Sequence, residues 1–447
     1  MRISILIHNA YGVGGTIRTT YNLASAMAER HEVEIVSVFR HRDEPTFALD
    51  PRVGLRHLLD LRRDSEACDL GDPLYGRPAK VFPSGENRYQ QYNALTDQRI
   101  AAYLASLEAD VVIGTRPGLN VHIALQAPRH VVRIAQEHLT LDTHSVPLVL
   151  TLRRLYPRLD AVTTTTEADA ACYRRRLRLP GVRVVAVPNS VPDPNIAPST
   201  LDAKYVVAVG RLAPVKRYGD LIEAFAKVVR ERPDWGLRLY GTGGEKKKLE
   251  RLIADLGIGD RVTMMGAVSP IEPEMAKASL LAVSSSTESF GMTIVEAMRV
   301  GLPVLSTDCP LGPGEIISDG VDGLLVPPRD VEALAAAMLR LINDDELRRR
   351  MGRAALEKGA RYDPAEIAGA FEHLLEDLVA RRAGARGRLR SAGRHVGGLG
   401  VGVAYAGKDL VGAARRRARR LAKKVRARLH GHGPEGGSAS PTSQGDT

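Results

Sequence analysis

Compact apolar runs alternate with segments of helical periodicity along most of this chain, and the alternation starts twice. Residues 3–8 are apolar (Ile3, Ile5, Leu6, Ile7), residues 16–29 carry Ile17, Leu23, Ala24 and Met27 at helical spacing, and residues 33–39 are apolar and β-branched. Strand, helix and buried strand in that order make a β-α-β unit, whose two strands run parallel because the crossover helix returns the chain to its starting edge. Further strands are predicted at 110–114, 130–136 and 161–165, and helices at 95–107 and near 120–126. The polar, Arg- and Asp-rich stretch 40–93 reads as excursions over the surface. Residues 180–198 are dense in proline and asparagine, which break helices and bias the backbone to extended forms. Beyond them the alternation restarts, with strands predicted at 205–209, 236–240, 261–265, 280–284, 303–306 and 323–326. Helices are predicted at 218–230, 245–256, 273–278 and 292–299 and from residue 331 onward. The expected architecture is α/β: two Rossmann-like parallel-sheet domains, 1–187 and 201–365, joined by a linker at 188–200.

Composition limits the class. With 447 residues, 44% apolar and 26% charged, the chain can fill two cores, which excludes wholesale disorder and a disulfide-held mini-protein. Cys68, Cys172 and Cys309 are scattered and form no C-x-x-C spacing, so neither a disulfide framework nor a zinc knuckle is expected, and a reducing cytoplasm fits. The apolar start is shorter than the core of a signal peptide and reads as the first strand. No run of about 18 uncharged apolar residues occurs, so any membrane contact is expected to be peripheral. The net charge of +11 is concentrated at one end: residues 381–430 hold 16 Lys and Arg against one acid, while residues 1–380 hold 47 basic and 49 acidic groups. Within that basic segment Ala414, Ala418, Leu421, Val425 and Leu429 recur at helical spacing. Such a stretch suits either a solvated extension or the anionic inner face of a membrane. Nucleic acid is the poorer fit, since no aromatic residue interleaves the cations of 414–429. Residues 431–447, rich in Gly, Ser and Pro, read as a disordered end.

Three segments carry candidate chemistry. Gly12-Val13-Gly14-Gly15 lies between the first strand and the first helix, where glycine uncovers backbone N–H groups that attract an anion. It lacks the third glycine of a dinucleotide fingerprint, for Ile17 stands there, and Arg40 stands where an acid would close the second strand. Gly210-Arg211-Leu212-Ala213-Pro214-Val215-Lys216 follows the first strand of the second domain, where open α/β sheets bind ligands; two cations five residues apart can pinch one diphosphate. Thr287-Glu288-Ser289-Phe290-Gly291-Met292-Thr293-Ile294-Val295-Glu296 joins a strand to a helix. Its glycine and the two residues after it offer N–H donors to a phosphate, and Glu288 and Glu296 can address a sugar and a ribose diol. Each segment has a plainer reading: a tight turn, a solvated basic loop, or glutamates that favour a helix start.

The second domain resembles the retaining glycosyltransferases of family 4, which have the GT-B fold. The resemblance rests on Val209-Gly210-Arg211-x4-Lys216, Gly241-Thr242-Gly243, Glu288-x7-Glu296 and Gly320-Val321-Asp322-Gly323-Leu324-Leu325-Val326-Pro327, in that order, and extends over about residues 1–380. It implies that Arg211 and Lys216 bind the donor diphosphate, with Gly14 and Gly15 supplying N–H donors from the opposite wall. Gly291, Met292 and Thr293 would cradle phosphate beside Phe290, Glu296 would hold the ribose, and Glu288 would contact the transferred sugar. His138, in Gln136-Glu137-His138-Leu139, is similar to the family's histidine near the reacting sugar, and the base would lie near Gly266 and Val268. Helix 366–380 is expected to cross back to the first domain. What the resemblance implies is transfer of a hexose-type sugar from a nucleotide-diphosphate donor, UDP-linked by preference. The acceptor would be a membrane-associated or polymeric envelope glycan, and neither a metal nor a cofactor is expected. A nucleotide-sugar epimerase on the same fold is the alternative. The sequence departs from the family at Asp308-Cys309-Pro310-Leu311-Gly312-Pro313-Gly314-Glu315, where paired glycines are commoner. That variant resembles enzymes of envelope polysaccharides, teichoic-type polymers and lipid-linked oligosaccharides.

Overall fold

The computed structural model describes residues 1–383, and the basic tail expectations beyond 383 lie outside the described residues. Two parallel sheets organise them. The first contains β1 (Arg2–Asn9), β2 (Glu32–Arg40), β3 (Gly54–Asp60), β4 (Val111–Gly114), β5 (Val132–Glu137), β6 (Ala161–Thr164) and β7 (Arg183–Ala186), in spatial order β3-β2-β1-β4-β5-β6-β7. The second contains β8 (Tyr205–Val209), β9 (Gly236–Tyr240), β10 (Val262–Gly266), β11 (Leu280–Val283), β12 (Val304–Thr307) and β13 (Gly323–Val326), in order β10-β9-β8-β11-β12-β13. Helices α1 (Gly15–Met27), α2 (Ala94–Ala105), α3 (Pro117–Gln126), α4 (Val146–Leu155) and α5 (Glu167–Leu177) accompany the first sheet. With the second go α6 (Tyr218–Glu231), α7 (Lys246–Asp255), α8 (Glu272–Met275), α9 (Met292–Met298), α10 (Pro313–Ile316), α11 (Val331–Asn343) and α12 (Asp345–Gly359), and α13 (Pro364–Ala383) closes the described chain.

Both faces of each sheet are covered, as parallel sheets require, so the strands are apolar in both registers. Along β1, Ile3, Ile5 and Ile7 pack toward α1 and α13, while Leu6 packs on the other side with Val112, Leu119 and Tyr156. In the second domain Val206 and Ala208 face a core with Phe225 and Met338, whereas Val207 faces Val295 and Met298. Helix α13 buries Ile367, Ala368, Phe371, Leu375 and Leu378 against the first domain's core. The chain therefore crosses between the domains twice, and the crossings lie side by side. The Val191 N–H donates to the Tyr362 carbonyl at 2.8 Å, and Arg299 reaches Asp193 at 3.4 Å and Asp363 at 3.2 Å.

The stretch 40–93 is not a surface excursion. It holds the edge strand β3 and buries Val53, Leu59, Phe82 and Tyr92, with the Phe82 and Tyr92 rings stacked 3.5 Å apart. Its apolar residues are too sparse for a periodic signal, and much of its order comes from one carboxylate. Asp97 accepts the backbone N–H groups of Lys80 at 2.6 Å and Val81 at 2.8 Å. Strand β7 takes the beginning of the proline- and asparagine-dense stretch, and α4, α5 and α10 lie where no helix was expected. Among the described residues no helix is long and apolar enough to cross a membrane.

Candidate functional site

In each sheet the strand order reverses beside the first strand: β1 lies between β2 and β4, and β8 between β9 and β11. Loops leaving the carboxyl ends on either side of such a point diverge and open a crevice. In the second domain those loops are Gly210–Arg217, after β8, and 284–291, after β11, and they brace each other. Ser284 Oγ donates to the Lys216 carbonyl at 2.8 Å, and the Ser286 N–H donates to the Val215 carbonyl at 2.8 Å. The bracing brings Lys216 Nζ to 2.5 Å from Glu288 Oε1, an oxygen that also accepts from Ser285 Oγ at 2.6 Å. Gly210 depends on Gly241 at the end of β9: a Cβ on Gly241, whose φ is +148°, would stand 1.9 Å from the Gly210 carbonyl oxygen. Within 308–315, Gly312 is required for a similar steric reason. A Cβ on Gly312 would stand 2.1 Å from the Phe290 carbonyl oxygen and 3.2 Å from Glu288 Cβ.

The first domain supplies the opposite wall. Gly14 and Gly15 begin α1 with open space where a Cβ would be, and Val13 beside them is 71% exposed. His138 follows β5, and both of its ring nitrogens are enclosed without a hydrogen-bond partner. Burial holds that imidazole down at about 4, against a smaller opposing pull from Glu137, so the ring is uncharged at neutral pH. The preceding Glu137 is buried and accepts from Asn120 Nδ2 at 2.9 Å and from the Tyr156 hydroxyl. Asp169 on α5 accepts the Leu141 N–H at 3.1 Å and so ties down the loop that carries His138.

Glu296, one turn into α9, is the most perturbed carboxylate of the cleft. Burial pushes it up to about 7, Glu272 adds to the rise, and Arg18 and Lys216 oppose it. Arg18, on α1 of the first domain, spans the gap: Nη1 donates to Glu296 Oε1 at 3.0 Å and Nη2 to Glu272 Oε1. A second pair of contacts closes the other side, where the Glu315 carboxylate accepts the Glu167 and Ala168 N–H groups at the start of α5, at 2.8 and 2.6 Å. Thr165 Oγ1 also donates to the Ser289 carbonyl at 2.8 Å.

The expected site residues thus fall into groups. Lys216, Glu288 and Ser285 form one hydrogen-bonded cluster, and Arg211 stands exposed on the same loop as Lys216. Phe290 is buried in the second domain's core, edge-on to Tyr362 with centroids 5.8 Å apart, while Gly291, at φ +113°, turns the chain into α9. Met292 and Thr293 are half-buried. At the end of β10 the Gly266 carbonyl accepts the Gly241 N–H at 2.7 Å, and Val268 is 42% exposed. Sequence reasoning did not single out Arg18, Glu272 or Glu315 for the cleft. Their partners lie more than a hundred residues away; Arg18 stood three residues past Gly15, and Glu315 closed the variant segment 308–315, with nothing local to point either across the cleft.

Comparison with known proteins agrees with this geometry. The family model described as glycosyl transferases group 1 matches residues 193–358, and that of Glycosyltransferase Family 4 matches residues 13–193. An exopolysaccharide phosphotransferase of Streptomyces coelicolor is 34% identical over 407 residues, which cover 88% of this chain but 42% of that protein. The amylovoran biosynthesis glycosyltransferase AmsD of Erwinia amylovora is 24% identical over 391 residues, 84% of this chain and 99% of its own. Among solved structures, S. aureus TarM in complex with fondaparinux, α-GlcNAc-glycerol and UDP has a TM-score of 0.66 at 16% identity, over 84% of this chain and 99% of that one. Anabaena HepE in complex with UDP has 0.65 at 20%, over 84% and 100%. Both share the two-domain GT-B fold. With one glycosyltransferase family model on each half and this two-sheet cleft between them, the comparisons support a glycosyltransferase of the family 4 type.

Proposed function

We propose that the protein transfers a hexose from a UDP-linked donor to an envelope glycan, a teichoic-type polymer or a lipid-linked acceptor, with retention of configuration and without a metal ion. The observation that carries this reading is the Lys216–Glu288 pair, held at 2.5 Å by the braced loops at the strand-order switch of the second sheet. In the reading, Arg211 and Lys216 take the diphosphate, with backbone N–H groups of Gly14, Gly15 and the 291–293 turn around it. Glu288 meets the sugar's hydroxyls, Glu296 the ribose, and the base lies by Gly266 and Val268. The acceptor oxygen bonds to the anomeric carbon on the face from which the diphosphate departs. The sugar–phosphate C–O bond breaks, its electrons go to the diphosphate, and the acceptor's proton follows to a phosphate oxygen. Lys216 and Arg211 meet the charge that grows on the leaving group, which is where such a site gains most of its rate. The neutral imidazole of His138 is suited to accept from a sugar hydroxyl.

The Anabaena and S. aureus structures hold UDP, which supports the base. The names of the relatives, among them a poly(glycerol-phosphate) alpha-glucosyltransferase of Bacillus subtilis at 28% identity over 170 residues, support an envelope polymer as acceptor. The Streptomyces relative is named for phosphate transfer, but this chain spans 42% of its length. Membrane attachment through residues 381–430 belongs to the same proposal.

The test begins with thermal shift against UDP, GDP, ADP and NAD, where a ligand at 100 times its Kd adds about 2.7 kcal/mol. Stabilisation by UDP alone is expected, and stabilisation by none of them overturns the cleft assignment. Incubation with UDP-sugars and an acceptor follows, with the anomeric configuration of the product read by NMR. Inverted product sinks the retaining mechanism, and turnover of UDP-sugar without acceptor favours the epimerase.

A further inference from the structure

We propose that Arg18 is a positioning residue for the donor: reaching from α1 of the first domain, it favours the ionised form of Glu296 as acceptor for the ribose, so the nucleotide is fully recognised only when the domains are closed. The inference rests on the assignment of Glu296 to the ribose made above. An arginine on a surface helix ordinarily extends into water. Arg18 instead ends between two buried carboxylates of the other domain, with Glu296 at 3.0 Å and Glu272 closer still. Their side chains are 8% and 4% exposed, and one oxygen of Glu272 is enclosed without a partner.

Two buried carboxylates facing one guanidinium leave the group one positive charge short. Removing Arg18 would leave two like charges in low dielectric, a situation relieved by taking up a proton. The charged groups that face Glu296 are Arg18 from α1, Glu272 from α8 and Lys216 from the loop after β8. Lys216 is already engaged with Glu288. Glu315 on α10 is turned onto the start of α5, and α12 meets α9 through Ala355 and Gly359, which bring no charge. Arg18 is therefore the stronger of the two cations that oppose proton uptake. A protonated carboxyl accepts ribose hydroxyls less well than a carboxylate, since hydrogen bonds to an ionised acceptor are stronger. Closing the cleft both dehydrates Glu296 and delivers a charge that opposes its protonation. Arg18 occupies Oε1, and a carboxylate has a second oxygen to offer.

The experiment compares the affinities of the full chain for UDP and for 2′,3′-dideoxy-UDP, by calorimetry from pH 6.5 to 8.5. The ratio of the two isolates the ribose hydroxyls and cancels titration of the nucleotide's own groups. In the unaltered protein the ratio should favour UDP by about 10- to 100-fold at pH 8.5, the worth of one or two hydrogen bonds to a charged group, and fall as the pH drops through about 7, where Glu296 takes up a proton. In Arg18→Gln that fall should move to higher pH, leaving the ratio near unity at pH 7 and recovering only as the pH rises further, by up to about tenfold per pH unit. Arg18→Lys, which restores the charge, should return the fall to about pH 7. A ratio that Arg18→Gln leaves unchanged, or lowers by the same factor at every pH, overturns the proposal, because a merely structural arginine acts without regard to pH. Glu296→Gln separates the two assignments. If it leaves the ratio intact, the ribose reading falls and takes this inference with it. If it abolishes the ratio while Arg18→Gln leaves the pH dependence unmoved, only the role of Arg18 falls.

Discussion

Glu315 gives the sharpest handle on how the cleft stays shut. Its carboxylate belongs to the second domain, yet it accepts two backbone N–H groups at the first turn of α5, at 2.8 and 2.6 Å. Those groups have no partner within the helix, and the N-terminal end of a helix favours negative charge by about 0.3–1 kcal/mol at an exposed site. Glu315 is exposed, so screening keeps each hydrogen bond at the lower end of its usual net range, about 0.5–1 kcal/mol. Together these make the contact worth about 1–3 kcal/mol, which is a 5- to 150-fold bias toward the closed arrangement. Glu315→Ala should lose all of it, and Glu315→Gln, which keeps one acceptor oxygen without the charge, a smaller part. Small-angle scattering should report a larger radius of gyration for Glu315→Ala, and kcat/KM for the donor should fall at least about 5-fold, with less effect in high salt, where the wild-type contact is itself weakened. Identical scattering curves and identical kcat/KM for all three proteins would refute the reasoning, since the contact would then carry no closure energy.

Other perturbations test the remaining parts. Lys216→Ala should lower kcat by about 10²–10³ with less effect on KM, because charge growing on the departing diphosphate goes unmet; single-turnover rates at the wild-type level would remove Lys216 from the chemistry. Gly241→Ala forces a side chain into the Gly210 carbonyl at a φ of +148°, so it should destabilise the fold by about 1–3 kcal/mol in urea and weaken UDP binding by displacing Arg211. An unchanged urea midpoint would contradict that packing. Asp169 is held up at about 6 by burial, with Glu137 adding to the rise and the Leu141 N–H opposing it. The folded state therefore keeps this proton after the unfolded chain, titrating near 3.9, has lost it. Its contribution is fully present below about pH 4 and falls by up to roughly 3 kcal/mol as the pH passes 6. Asp169→Asn keeps the acceptor and removes the titration, so its stability relative to wild type should rise between pH 4 and 7. A difference that stays flat over that range would rule the effect out.

The two-sheet architecture was legible because buried parallel strands are apolar on both faces. Tyr205–Val209 and Gly323–Val326 announce themselves as short apolar runs between turn signals. What escaped was order built from few apolar residues and specific polar contacts. Strand β3 has two buried residues at its end, Leu59 and Asp60, and is otherwise half-exposed at the sheet edge, so its sequence looks like loop. Helix α4 did carry a signal: Ser145 caps it, Pro147 opens it, and Leu148, Leu152 and Leu155 follow at helical spacing. At the cleft, Lys216 and Glu288 could be picked out because each sits in a local motif. Arg18 and Glu315 could not, because an interdomain contact has no short-range pattern; it depends on how two separately folded halves face each other.

The paired crossings between the domains set the terms on which they can move. Since the polypeptide leaves the first domain near Val187 and returns to it in α13, the second domain is an insertion within the first. A single cleavage in 188–200 would not free the halves, which would stay strapped together through Asp363 and α13. A first domain cut off at residue 187 would lack the helix that covers α1, exposing Ile17, Leu23 and Met27 where Phe371 and Leu375 had lain. Two straps lying side by side, tied by the Val191–Tyr362 hydrogen bond and by Arg299, also resist twisting as a lone tether would not. Opening then turns beside Arg299, and the Arg18–Glu296 contact lies close to that pivot, because Glu296 is one turn from Arg299 on α9 and Asn22 of α1 donates to the Ser190 carbonyl at 2.9 Å.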